Sequence, residues 1–180
     1  MYPAGMVAEE WAGWVRRWGT DIDDAARRLM DGFQALYGFP HGENSVRWAT
    51  GTDLDDARRL ADDPLMPRAM AAFYTVIAEV SLPDVANGYF IHPASSVLAQ
   101  RDLIGYVFLP ESDDPHGLLI GSDGGGIQCV ADWSGAVHRS TTATLDGEFR
   151  QVAETVEQFL DLVRHAVIRF VDHNNVTPCL

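Results

Sequence analysis

Glu111, Asp113, Asp114, His116 and Asp123 fall within thirteen consecutive positions, a grouping of side chains that can bind a cation or trade protons. Carboxylates so close in sequence shift one another's pKa, so a metal site or an acid–base pair is one reading of the run. Pro110, Pro115 and Gly117 are interleaved with them, and that composition describes a solvated loop instead. Elsewhere the chemistry-bearing residues are dispersed. No two of the six histidines (His41, His92, His116, His138, His165 and His173) stand three or four positions apart, so no helical zinc pair forms. Cys129 and Cys179 make no C-x-x-C, and no G-x-S-x-G elbow is present. All thirteen basic residues are Arg, which excludes Schiff-base, P-loop-lysine and Ser–Lys chemistry. The expectation is a chain with no catalytic centre, no metal and no cofactor.

The most unusual stretch is Gly121-Ser122-Asp123-Gly124-Gly125-Gly126, with three consecutive glycines. A phosphate cradle would open a helix, whereas this run leads into a strand pattern. A calcium loop needs acids at alternating positions, and they are missing. The remaining reading is a turn in which Gly124, Gly125 and Gly126 supply positive φ angles and close backbone approach. The short Asp123 acceptor would then fix that turn through nearby amides.

Net charge is −13, spread along the chain: twelve acids and seven Arg in residues 1–64, eight and three in 65–140, six and three in 141–180. Such a body repels phosphate, so nucleic acid and anionic membranes are excluded as partners and a basic protein is the electrostatic complement. Exposed acids are the expected points of contact, with Glu111, Asp113, Asp114 and Asp132 as the candidates. No secretory leader and no apolar run of about eighteen residues are visible, which points to the cytoplasm.

The elements that must position these residues follow from periodicity. Val7, Trp11, Trp14, Val15 and Trp18 form one helical stripe, and Ile22, Ala25, Ala26, Leu29, Phe33 and Leu36 another. Thr20 or Asp21 is the expected cap between two helices, and Gly38 with Pro40 the stop. The Gly-, Pro-, Asn- and Thr-rich residues 38–52 mark an internal boundary. A short helix is predicted over 53–61. Another follows Pro67, carrying Met70, Phe73, Ile77 and Val80 on one face. From Gly88 the pattern turns to strands at 89–91, 104–109, 118–120 and 127–133, with a short helix over 94–100. Ser134-Gly135 is the expected two-residue hairpin turn into 136–140. The last helix opens on a capping box, Thr155 to Gln158, and buries Val156, Phe159, Leu160, Val163, Val167 and Phe170. Helices, then strands, then a helix define an α+β chain: a mixed, largely antiparallel sheet flanked by helices.

Three of these segments resemble the SUKH superfamily of Smi/Knr-type proteins. Leu119-Ile120-Gly121-Ser122-Asp123-Gly124-Gly125-Gly126 is similar to the family's apolar-Gly-Ser/Asn-Asp-Gly-Gly-Gly run before a strand. Val152-Ala153-Glu154-Thr155-Val156-Glu157-Gln158-Phe159-Leu160 resembles its final helix, with Thr155, Phe159 and Leu160 as structural positions. Phe73-Tyr74 and the segment from Ser81 to Ile91 look like its helix, turn and first strand. The likeness spans about residues 64–164, in the family's order. It implies an α+β domain over 53–180, with 1–52 as a helical extension and linker, the two forming one compact unit, and no catalytic centre. Many bacterial members are immunity proteins that neutralise a cognate toxin, often a nuclease; some eukaryotic members are regulators or scaffolds. A toxin-inhibiting protein with a basic toxin domain as its partner is the leading expectation. A scaffold docking through the N-terminal Trp-rich helices is the alternative, and an enzyme using Asp113, Asp114, His116 and Asp123 is the third.

Overall fold

The computed structural model describes residues 7–110, 112 and 115–173. In chain order the described elements are α1 (Ala8–Tyr37), β1 (Ser45–Trp48), α2 (Thr52–Ala61), α3 (Arg68–Tyr74), β2 (Ile77–Leu82), β3 (Tyr89–Ile91) and α4 (Ala94–Ile104). Then come β4 (Val107–Phe108), β5 (His116–Ser122), β6 (Gln128–Asp132), β7 (Val137–Ser140), β8 (Phe149–Ala153) and α5 (Val156–His173). The strands form one open sheet in the order β1-β2-β3-β5-β6-β7-β8, with β4 pairing β5 off that path. The class is α+β. Every described pair is antiparallel, so the expected mixed sheet is corrected.

The two N-terminal stripes lie on one unbroken helix, not two. Thr20 does not cap; its hydroxyl donates back to the Arg16 carbonyl at 3.0 Å, inside the helix. Gly19 is there for space. A Cβ at that position would stand 2.8 Å from both the Ile77 side chain and the Trp48 ring, so the glycine admits β1 and β2 against α1. The helix ends at Gly38 with φ 80°, whose amide donates to the Gln34 carbonyl at 2.9 Å.

α1 shares its apolar cluster with the sheet and α5. Trp11, Trp18 and Ile22 are fully buried among Phe73, Ile77, Leu118, Ile120, Val137 and Leu160. The two indoles also satisfy distant backbone: Trp18 Nε1 donates to the Leu160 carbonyl at 2.7 Å and Trp11 Nε1 to that of Ala69 at 3.0 Å. The opposite face of the sheet carries a smaller cluster of Val107, Leu109, Leu119, Val130 and Phe149.

Three further departures have local causes. The helix after Pro67 stops at Tyr74, and Ile77 and Val80 belong to β2, because the β-branched run Thr75-Val76-Ile77 favours extended chain. Ile104 closes α4 rather than opening a strand, and Gly105 at φ 77° turns the chain so that only Val107–Phe108 pairs. The β6–β7 connection holds three residues, Trp133, Ser134 and Gly135, between the paired Asp132 and Ala136. Gly135 takes the left-handed position at φ 98°. At the start of α5 Thr155 Oγ1 accepts from the Gln158 amide at 3.1 Å as expected, while Gln158 Oε1 reaches back one residue beyond the cap, accepting from the Glu154 amide at 2.7 Å.

Candidate functional site

Asp132 ends β6 and His138 lies on β7, where it pairs with Val130. Cross-strand partners share a face and side chains repeat every second residue, so both groups point to the face that carries Leu119 and Phe149. Asp132 was expected as an exposed acid; it is 2% exposed, and its carboxylate has no surface to offer a partner. Oδ1 accepts from Ser134 Oγ at 2.6 Å and from the Gly135 and Ala136 amides at 3.1 Å each. Oδ2 accepts from Ser112 Oγ and from His138 Nε2, each at 3.0 Å. Burial opposes the charge, but the bonds from His138, Ser134 and Ser112 overcome it and hold the carboxyl down at about 2.

Ser112, His138 and Asp132 have the residue types of a hydrolytic triad in an arrangement that cannot work as one. In a triad the imidazole stands between hydroxyl and carboxylate and takes the hydroxyl proton. Here the carboxylate is the hub, and both serines donate to it. It ties the β4–β5 connection, through Ser112, to the hairpin that presents Trp133. The sequence signal was an Asp-x-Ser-Gly hairpin turn followed by His138, and it becomes readable only when the register is known.

Asp123 occupies a similar post in the glycine run. Its Oδ1 accepts from the Gly125 and Ile127 amides at 2.9 Å each, and Arg139 donates to Oδ2 at 3.0 Å. The three glycines differ in their reasons. Gly126 alone has positive φ, at 84°. Gly124 donates to the Asn87 carbonyl at 2.6 Å, and a Cβ there would lie 2.3 Å from that oxygen. Gly121 meets the same limit against the Phe90 carbonyl oxygen, also at 2.3 Å. Gly125 has neither constraint, so the expectation of a special φ there is corrected; a Cβ would meet only the Asp123 carboxylate at 3.2 Å. Gly124→Ala is therefore expected to cost about 1–3 kcal/mol, and Gly125→Ala within about 1 kcal/mol, in denaturant unfolding. Equal losses at both positions would contradict this division.

Beside the loop, Tyr89, Ser122, Cys129, Arg139 and Phe159 help line a small pocket of about 50 Å³. Burial pushes the Cys129 thiol up to about 12, so it stays protonated and non-nucleophilic at neutral pH. Glu111, Asp113 and Asp114 lie outside the described residues. His116 is exposed, with its ring 5.9 Å from that of Phe108. Among the described residues no three His, Cys, Asp or Glu side chains converge as metal ligands.

What the chain does present is apolar. Leu103, Ile104, Tyr106 and Phe108, at the end of α4, in the turn after it and on β4, are 83%, 50%, 39% and 58% exposed. Trp133, one step beyond the Gly117–Asp132 pair, is 57% exposed at the same end of the sheet. Periodicity does not reveal this strip, because the same residues read as an ordinary buried strand. No family model and no curated protein matches the chain. No helix among the described residues is long and apolar enough to cross a membrane.

Proposed function

We propose that this chain is an immunity-type binding protein that acts in the cytoplasm and neutralises a basic toxin domain by covering its active site. The observation that carries the reading is a net charge of −13 on a frame in which Asp132, His138, Asp123 and Cys129 are taken up by structural contacts or burial. Asp132 and His138 are buried against each other, Asp123 is held by its own loop and Arg139, and Cys129 is a buried thiol. A surface of this sign complements an enzyme that must bind phosphate, such as a nuclease. The resemblance of the glycine run and the final helix to Smi/Knr-type proteins supports the same reading. The alternative of a scaffold docked through the N-terminal helices has a narrower surface to use there, because Trp11 and Trp18 are fully buried in the core and Trp14 is half-buried.

Co-expression tests the proposal. A toxin domain is expected to be encoded beside this gene, to stop growth when expressed alone and to permit it when this chain is produced with it. Growth arrest that persists with every flanking candidate, at equal expression, would contradict it.

A further inference from the structure

The end of α4 is built to hold apolar side chains in water. Asp63, whose side chain is only 1% exposed, accepts from Arg101 at 2.7 Å on the last turns of the helix. The same carboxylate accepts from the Tyr106 hydroxyl at 3.3 Å, just past the Gly105 turn. Leu103, Ile104 and Phe108 are thus carried on a segment clamped from both sides of Gly105, and they remain half or more exposed. An exposed apolar strip on a rigid support marks a contact surface rather than a fold requirement.

The charges around the strip say what it fits. Arg101 is neutralised by Asp63 and by Asp102, at 2.7 Å each, while Asp62 is exposed beside Asp63. With Asp62, Asp63 and Asp102 against Arg101, the residues that flank the strip are net acidic. A second copy of the chain brings the same acids, so strip-to-strip self-association would oppose like charges. From this we infer that Leu103, Ile104, Tyr106 and Phe108, with Trp133 at the margin, form the docking surface for a protein whose contact face has an apolar or aromatic centre and an Arg/Lys rim. This assignment rests on the proposed binding function and names its surface and partner chemistry.

Two arms separate the surface from the function. In the first, the isotopically labelled full chain is titrated with the peptide acetyl-Arg-Trp-Arg-Leu-Arg-Trp-amide, and with a control in which Glu replaces each Arg. Chemical-shift changes are expected at residues 103–108 and 133 with the cationic peptide alone. They should vanish in Phe108→Asp and weaken as salt rises. In the second, a flanking toxin domain that this chain protects against is bound to Leu103→Asp, Phe108→Asp and the control Leu36→Asp, whose side chain is also exposed. Affinity should fall at least about thirtyfold for the first two and stay within about threefold for the control. Matching circular-dichroism melts establish that all variants fold.

Shifts that spread over the surface or follow the Glu peptide equally would overturn the assignment, whatever the toxin arm gives. So would retained toxin affinity in both strip variants, with the binding function left standing. A dimer in sedimentation that Phe108→Asp dissolves would also overturn it, by making a second copy the occupant. Peptide shifts at the strip with no toxin bound would remove the toxin reading and keep the surface.

Discussion

Asp132→Ala is expected to destabilise the chain by about 3–5 kcal/mol, because it removes the shared acceptor of a buried hydrogen-bond network. The cost is not the loss of an attraction alone. Ser112, Ser134, His138 and two backbone amides all donate to this carboxylate, and each would be left buried or forced toward water. Asp102→Ala is the comparison: its carboxylate is mostly exposed and bonds only the exposed side of Arg101, so a change within about 1 kcal/mol is expected.

The same group sets an acid limit. The folded carboxyl titrates at about 2 against 3.8 for a free side chain. A depressed acid stabilises the fold fully above its unfolded value, and that contribution drains away as pH falls from about 4 through about 2. Wild-type unfolding free energy should therefore drop by about 2 kcal/mol over this window from Asp132 alone. In Asp132→Asn the slope should be correspondingly shallower. Equal slopes for the two proteins between pH 4 and pH 2 would show that the network does not hold the proton off.

Trp18→Ala should be as severe, at about 3–5 kcal/mol, for a different reason. It empties a fully buried indole volume between α1, Phe73 and α5 and leaves the Leu160 carbonyl without its donor. Trp18→Phe keeps most of the volume and loses the bond, so a cost of about 1–2 kcal/mol is expected from that carbonyl. The pair of variants also addresses the organisation of the chain. If residues 1–52 were a separable extension, Trp18→Ala would produce a separate early transition and leave the main one in place. A single transition shifted to lower denaturant is the expected result, because α1 and the sheet share one core.

Much of this architecture was readable from the sequence where elements are long and periodic. The stripes of α1 and α5 are defined by apolar residues at helical spacing, and the Thr155–Gln158 pair marks the start of α5 to the residue. The cap expected at Thr20 or Asp21 has no place in α1, which runs unbroken past Gly19. Glycine there serves an approach by Trp48 and Ile77, which sequence spacing does not encode. β1 and β8 left no signal for related reasons. β1 has a single fully buried residue, Val46, in a stretch dominated by turn formers, and β8 buries only Phe149 and Ala153 at its ends.

The site was less legible than the frame. Charge identified Asp132 as a candidate contact, but a carboxylate that closes a hairpin over its own amides is buried by the very bonds that make Asp common in turns. Its network with His138 and Ser112 spans three segments and depends on register, which composition does not reveal. The apolar strip at 103–108 was hidden for the opposite reason: its residue types read as core, and only the Gly105 turn and the two-residue pairing of β4 with the start of β5 leave them in water.

The proposed stoichiometric inhibition is decided by titrating the purified protein into a toxin domain encoded beside its gene and following that domain's activity. A linear fall to zero at one equivalent is expected, with activity restored when the complex is dissociated in high salt. Full toxin activity at many equivalents, or loss of activity at far less than one equivalent with the toxin chemically altered, would contradict it.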